Sequence, residues 1–237
     1  FVLSLSGCAG GMRTRHYTSV VEYLYPNSKD TIAPQGVTAL SVPVKVGIAF
    51  VPGSGAQRSG STLFRTGTSF ALTEGERTRL LEEVAKNFRQ YEFVDKIEII
   101  PSAYLTPRGS FTNLDQIGAM YGVDVIALVS YDQVQFTDEG LLSLTYWTIV
   151  GAYIIPGDIN DTHTMLDTAV YHIASRRMLF RAPGTSLIKG RSTLVNLSEQ
   201  LREDSAQGFT EASTRMVSNL DQQLGLFRER LETHPSE

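Results

Sequence analysis

Three apolar segments, each separated from the next by a helical pattern, constrain the fold of this chain most. In the first, Val44–Val51, every second residue is large and apolar and the residues between are mostly small or apolar, so both faces are predicted to be buried. Phe93–Ile100 and Val123–Tyr131 are the second and third predicted strands, and the third runs on toward Phe136. This alternation favours parallel strands joined by right-handed crossovers, with helices on one or both faces of the sheet.

The two predicted helices between these strands carry their own boundary signals. Thr73 and Glu76 form a capping box, which predicts a helix start, and an apolar stripe then runs to about Tyr91. The second helix is predicted over Asn113–Tyr121, with an apolar face of Leu114, Ile117 and Met120 and with Gly122 placed to end it.

The pattern beyond Phe136 changes to strands separated by turns, followed by one long helical segment. The strands are predicted at Leu141–Ile155, Thr162–Ile173 and Arg177–Ile188, and the helix at Leu197–Leu231 with a break near 204–208. The expected fold class is therefore α/β, a single domain with a mixed sheet. It has a parallel β-α-β-α-β start, an antiparallel meander and a long C-terminal helix.

Composition excludes several classes of protein. The chain has 237 residues with 21 basic and 25 acidic side chains, so it lacks the positive charge of a nucleic-acid-binding protein, and no nucleic-acid partner is expected. Its single cysteine excludes a disulfide framework and any zinc site built from several thiolates.

That cysteine follows an apolar segment in the pattern of a bacterial lipobox. Leu5-Ser6-Gly7-Cys8 offers an apolar residue and two small residues before the thiol that would receive a diacylglyceryl group. Several acyl chains anchor a protein stably because each buried CH2 contributes about 0.8 kcal/mol. Residues 1–7 are thus interpreted as the end of a signal peptide, 8–40 as a lipid-anchored tether and 41–237 as the globular domain. Cys8 is the predicted lipidation site.

Two further features bear on the predicted location of the protein and on its tether. By resemblance to enterobacterial lipoproteins, Ala9 rather than Asp after the acylated cysteine favours the outer membrane, with the body in the periplasm or exposed at the surface. Within the tether, Val20, Tyr23 and Leu24 share a helical face, so this piece is expected to dock on the body or on a partner.

No motif discloses a chemistry, and the chain is expected to be non-enzymatic, with no cofactor or metal. Gly55–Thr62 has P-loop glycine spacing without the lysine, and the polar run from Asp158 to Asp167 suits a turn better than a calcium site. The alternative is an envelope hydrolase or metal-dependent enzyme with converging polar groups. Its candidate residues are Asp132, Asp158, His163 and Asp167.

Leu141–Ile155 is the most apolar uncharged segment of the chain. At 15 residues it is short for a membrane helix, which needs about 20. It suits a core strand, or a contact with lipid, a second copy or another envelope protein through Tyr146, Trp147 and Tyr153.

Several stretches resemble the rhombotarget lipoprotein family, which are bacterial lipoproteins found alongside rhombosortase. They are Val20–Pro26, Val46–Pro52, Ile99–Leu105, Tyr121–Phe136, Leu144–Tyr153 and Asn196–Glu199. The resemblance implies a bacterium with type II secretion and rhombosortase, and it implies no catalytic residue. The order of elements is also similar, at the level of fold alone, to the periplasmic domain of the curli secretion lipoprotein.

Overall fold

The computed structural model describes residues 13–26, 40–53, 72–136, 161–189 and 197–233. The strands are β1 (Arg13–Tyr17), β2 (Val44–Phe50), β3 (Val94–Ile100), β4 (Val125–Phe136), β5 (Asp161–His172) and β6 (Arg177–Lys189). The helices are α1 (Val20–Leu24), α2 (Glu74–Arg89), α3 (Ser110–Tyr121) and α4 (Leu197–Thr233), and a short 3-10 turn spans Ser102–Tyr104. The predicted strand at Leu141–Ile155 lies outside the described residues.

The strands form one mixed sheet in the order β3-β2-β4-β5-β6, with β1 paired to the last residues of β4. β2 is parallel to both β3 and β4, whereas β5 is antiparallel to both of its neighbours, β4 and β6. The α/β class, the parallel start, the antiparallel meander and the long C-terminal helix are therefore confirmed.

Helices cover both faces of this sheet. The α2/α4 face buries Val46 and Ile48 of β2 together with Val129 of β4 beneath the two helices. The α1/α3 face buries the residues between them, including Ile126 and Leu128 of β4. Alternate residues of β2 and β4 are thus buried on opposite faces, which explains why Val46–Phe50 and Val125–Val129 are apolar throughout.

Local signals in the sequence set the helix boundaries. Thr73 accepts from the backbone N–H of Glu76 and the Glu76 carboxylate accepts from Thr73, which is the predicted capping box. Gly122 ends α3 at a φ of 62°, in the left-handed region that glycine favours. Met120, predicted on the apolar face of α3, is instead 62% exposed.

α4 is continuous over 37 residues, about 55 Å, so the predicted break near 204–208 is wrong. Gly208 is there because α4 approaches β5 closely: a Cβ at this position would lie 2.6 Å from Oγ1 of Thr164. Ser205 donates to the carbonyl of Leu201 and stays within the helix. The glycine therefore serves packing rather than a turn.

Two elements of the folded domain, β1 and α1, lie within residues 8–40, which the sequence pattern predicts to be a tether. β1 joins the sheet, and Thr18 after it bonds to Tyr131 in both directions, with N–O distances of 2.6 and 2.8 Å. α1 docks on the body as expected, because Tyr23 is buried and donates to the side chain of Asn113 at 2.7 Å. The folded domain thus includes residues 13–26.

Candidate functional site

Polar side chains collect on one end of the α1/α3 face. Ile126 and Leu128 bury on this face, so Ser130 and Asp132, which continue the alternation along β4, belong to it as well. In the register of the sheet, Asp167 lies opposite Ser130. Asp132 lies opposite Met165, which is midway between His163 and Asp167 along β5. Three of the four alternative site residues therefore lie on the same face of the sheet: Asp132, His163 and Asp167. The fourth, Asp158, lies outside the described residues.

These three side chains are interior groups. Asp132 is 1% exposed, His163 is 2% exposed and Asp167 is 5% exposed. A catalytic or ligand-binding group has to reach a reacting molecule, so burial to this degree favours a structural role.

Asp167 forms an ion pair across to β6. Its Oδ2 accepts from Nε of Arg181 at 2.6 Å. Burial raises the pKa of the Asp167 carboxyl, and the guanidinium opposes that rise. The sequence did not identify Arg181, because its partner lies 14 positions away on another strand. The available signal was a single arginine between Phe180 and Ala182, which are both buried.

The two described buried histidines lie at opposite ends of β5. Burial lowers the pKa of His163, although Asp161 acts against it, and burial likewise lowers the pKa of His172 against Asp124. His172 Nδ1 lies 2.8 Å from the hydroxyl of Ser175 in the turn that follows. Burial therefore favours the neutral form of both rings, and each belongs to a different environment.

Within the described ranges, no group of three or more His, Cys, Asp or Glu side chains is placed to hold a metal ion. The acidic and histidine side chains of the polar cluster are spread along strands rather than converged on a point. The charge balance that the structure shows within this arrangement is the pairing of Asp167 with Arg181.

The other predicted site residues fall outside the part of the chain that the structure describes. These are Cys8 and the three aromatic residues Tyr146, Trp147 and Tyr153. Of the helices placed by the structure, none combines the length and hydropathy needed to cross a bilayer.

An open groove lies where β6 begins and α4 ends. Leu179 and Phe180 form one side and Leu226 and Arg230 the other, and Leu226 is 45% exposed. The groove mixes apolar side chains with Glu229 and Arg230, and no buried polar group points to a particular ligand class there.

The outer edge of β6 is occupied by side chains of α4. Nη1 of Arg215 donates to the carbonyl of Thr185 at 2.6 Å, and Nδ2 of Asn219 donates to the carbonyl of Pro183 at 2.5 Å. Backbone polar groups alternate between the two edges of a strand, so both carbonyls face the same edge. Proline also lacks a donor there, so this edge is poorly suited to receive an added strand.

Comparison with known proteins assigns no family. No family model matches the chain, and no curated protein matches it in sequence. A PelC dodecamer from Paraburkholderia phytofirmans is 11% identical, with 81% of this chain and 94% of PelC covered at a TM-score of 0.29. A PelC variant from the same organism is 10% identical, with coverage of 74% and 96% and a TM-score of 0.29. A Xanthomonas campestris DUF330 protein is 11% identical, with coverage of 79% and 94% and a TM-score of 0.26. Similarity at this level carries no functional assignment.

Proposed function

We propose that this chain is an outer-membrane-anchored bacterial lipoprotein whose α/β domain is a non-enzymatic binding or assembly component of the envelope. Cys8 carries the lipid, and the domain stands in the periplasm. Its partner is another envelope protein or a second copy of the chain.

The observation that carries the non-enzymatic part is the burial of the chemistry-bearing side chains. Asp132 and His163 are almost inaccessible, and Asp167 is engaged with Arg181. The enzyme alternative would need these groups open to a substrate.

The proposed partner contact is the aromatic segment that contains Tyr146, Trp147 and Tyr153. Gln135 pairs with Thr162, so the chain leaves β4 and re-enters β5 at one end of the sheet. The two strand ends that flank this segment therefore lie next to each other. Tyr and Trp are favoured where an apolar contact has a polar rim. The occupied edge of β6 favours side-chain contacts over strand addition for assembly.

The resemblance to rhombotarget lipoproteins gives the proposal its biological setting. It supports a role in envelope processing linked to rhombosortase and type II secretion. Loss of the gene in a rhombosortase-bearing host would then change the amount of processed rhombosortase substrates at the cell surface. Unchanged substrates would separate the chain from that process.

The anchor is tested with Cys8→Ser and Ala9→Asp. The first removes the thiol that accepts the diacylglyceryl group, so the protein loses its acyl mass and leaves the outer-membrane fraction. The second keeps the acylated Cys8 and is expected to move the protein to the inner membrane. A Cys8→Ser protein of unchanged mass in the outer membrane would contradict the lipobox.

The binding role is tested by crosslinking in whole envelopes. Trp147→Asp should lose the crosslinked partner or copy, whereas Met120→Lys, which alters an exposed apolar residue of α3, should keep it. Catalytic turnover that Asp132→Asn abolishes, together with no specific crosslink, would replace this proposal by the enzyme alternative.

A further inference from the structure

The position of β1 fixes where the chain enters the domain. β1 is antiparallel to β4, with Arg13 opposite Phe136. In the adjoining pairs, Gln135 lies opposite Thr162 and Asp161 lies opposite Lys189. The first residue of β1 therefore belongs to a row across one end of the sheet, which is here called the entry end and is formed by Arg13, Phe136, Asp161 and Lys189.

The opposite end of the sheet is defined in the same way. Val125, the first residue of β4, lies opposite His172, and His172 lies opposite Arg177 at the start of β6. From Arg177 to Lys189 the strand rises by about 40 Å. α4 runs along this axis, because its Gly208 packs near Ile188 while its Phe227 packs on Phe180.

The proposed lipid attachment lies close to the entry end. Cys8 precedes Arg13 by five residues. Five residues of chain reach at most about 17 Å even when fully extended. This reach is less than half of the sheet's length along β6.

We infer that the entry end of the domain faces the phospholipid surface and that the Arg177 end faces away from it. The inference rests on the proposed acylation of Cys8 and adds an orientation to it. The short connection holds Arg13 within about 17 Å of the lipid headgroups, since the acyl chains of Cys8 sit in the bilayer. The groove between β6 and the end of α4 then opens toward the periplasm.

Charge does not decide this orientation. Lys189 at the entry end is exposed, and its positive charge is attracted to anionic headgroups. Glu199, in the first turn of α4, is also exposed and acts with the opposite sign. The length of the connection is therefore the deciding quantity.

The test uses the fact that the chain has one cysteine. When Cys8 is acylated, Lys189→Cys and Arg177→Cys each carry a single free thiol for a fluorescent label. Both positions are exposed cations on the same strand, which makes them a matched pair. The full-length lipoprotein is reconstituted in phosphatidylethanolamine and phosphatidylglycerol vesicles that contain a headgroup nitroxide as quencher.

The label at position 189 is expected to be quenched several-fold more strongly than the label at position 177. A second pair, Glu199→Cys and Glu232→Cys, repeats the comparison along α4 over about 50 Å. Insertion of a Gly/Ser spacer of about 20 residues before Arg13, with a mean span of about 25 Å, should abolish the difference.

Each outcome has a distinct meaning. Equal or reversed quenching in both pairs, in a protein that floats with vesicles and shows one reactive thiol, overturns the orientation and leaves the anchor standing. A protein that fails to float and shows two reactive thiols in the Lys189→Cys variant lacks the acylated Cys8, which overturns both.

Discussion

Among single residues, the most unusual feature of the sheet is a mostly buried ion pair between two strands. Asp167 and Arg181 lie on neighbouring strands, and their side chains are 6% and 24% exposed. A buried pair of this kind adds little net stability, because desolvation offsets the attraction. Loss of one partner is costly, since the other charge then stays buried and uncompensated.

Arg181→Met tests this asymmetry. At pH 7 it should lower the free energy of unfolding by about 3 kcal/mol, because the Asp167 carboxylate loses its cation. The pKa of Asp167 is already raised by burial and rises further in the variant. The folded variant therefore binds this proton more tightly than the unfolded chain does, so the stability deficit shrinks as the pH falls toward 5.

Urea unfolding of Arg181→Met at pH 7 and at pH 5 measures the effect. The double variant Asp167→Asn with Arg181→Met is the control, and it should lose less stability than Arg181→Met alone. Equal losses for the two variants at both pH values would show that Arg181 acts through packing instead.

Protonation of His163 and His172 should make the fold sensitive to mild acid. Burial holds both pKa values below the ordinary value of 6.5, against Asp161 and Asp124 respectively. Below pH 6.5 these two histidines bind protons more readily in the unfolded chain than in the folded chain. The free energy of unfolding therefore falls as the pH falls. Each group contributes at most about 1.4 kcal/mol per pH unit.

The measurement is the stability difference between the wild type and a His163→Gln, His172→Gln variant from pH 7.5 to pH 5.5. The variant should have the flatter profile, and titration of Asp167 cancels in the difference. Parallel profiles would mean that neither ring is held neutral in the folded state.

At the scale of elements, the packing of α4 on β6 depends on a close approach of two backbones. A Cβ at Gly184 would lie 2.1 Å from the carbonyl oxygen of Ala212 and 2.3 Å from the backbone nitrogen of Met216. Thr168 reaches the sulfur of Met216 from the neighbouring strand at 3.2 Å. The middle of α4 therefore lies almost directly on the backbone of the sheet.

Gly184→Ala should consequently displace α4 and lower the free energy of unfolding by about 3 kcal/mol. Gly225→Ala is the matched control within α4, because its Cβ would meet nothing closer than the Tyr91 hydroxyl at 4.0 Å. That change should raise stability by about 0.5–1 kcal/mol through helix propensity. Equal effects of the two substitutions in thermal unfolding would contradict the close approach.

At the scale of the whole molecule, the domain is closed by its own N-terminal residues. α1 buries Val20, Tyr23 and Leu24 on the α1/α3 face, and β1 extends the pairing of β4. A body that began at Ser41 would expose this surface to water.

A chain shortened to begin at Ser41 should therefore be several kcal/mol less stable than one beginning at Ala9. The measurement is urea unfolding of the two chains, neither of which carries Cys8. Tyr23→Phe in the longer chain is the control, since it removes only the bond to Asn113 and should cost about 1 kcal/mol. Equal stabilities for the two chains would mean that residues 13–40 act only as a tether.

The elements whose signals are local could be predicted from the amino-acid sequence alone. The two-faced apolarity of Val44–Val51, the Thr73 and Glu76 capping box and the stop at Gly122 depend on residues only a few positions apart. The α/β class and the parallel start followed from their order. The lipobox pattern before Cys8 is equally local, and the lipidation of Cys8 stays a prediction.

The features that join distant parts of the chain could be identified only from the packing of the folded domain. The Arg181 partner of Asp167, the docking of α1 and β1, and the continuity of α4 through Gly208 all depend on which strands and helices meet. A glycine that breaks a helix and one that admits a neighbouring strand look alike in sequence. They differ only in what lies within a few ångströms, and that is set by the packing of the sheet against α4.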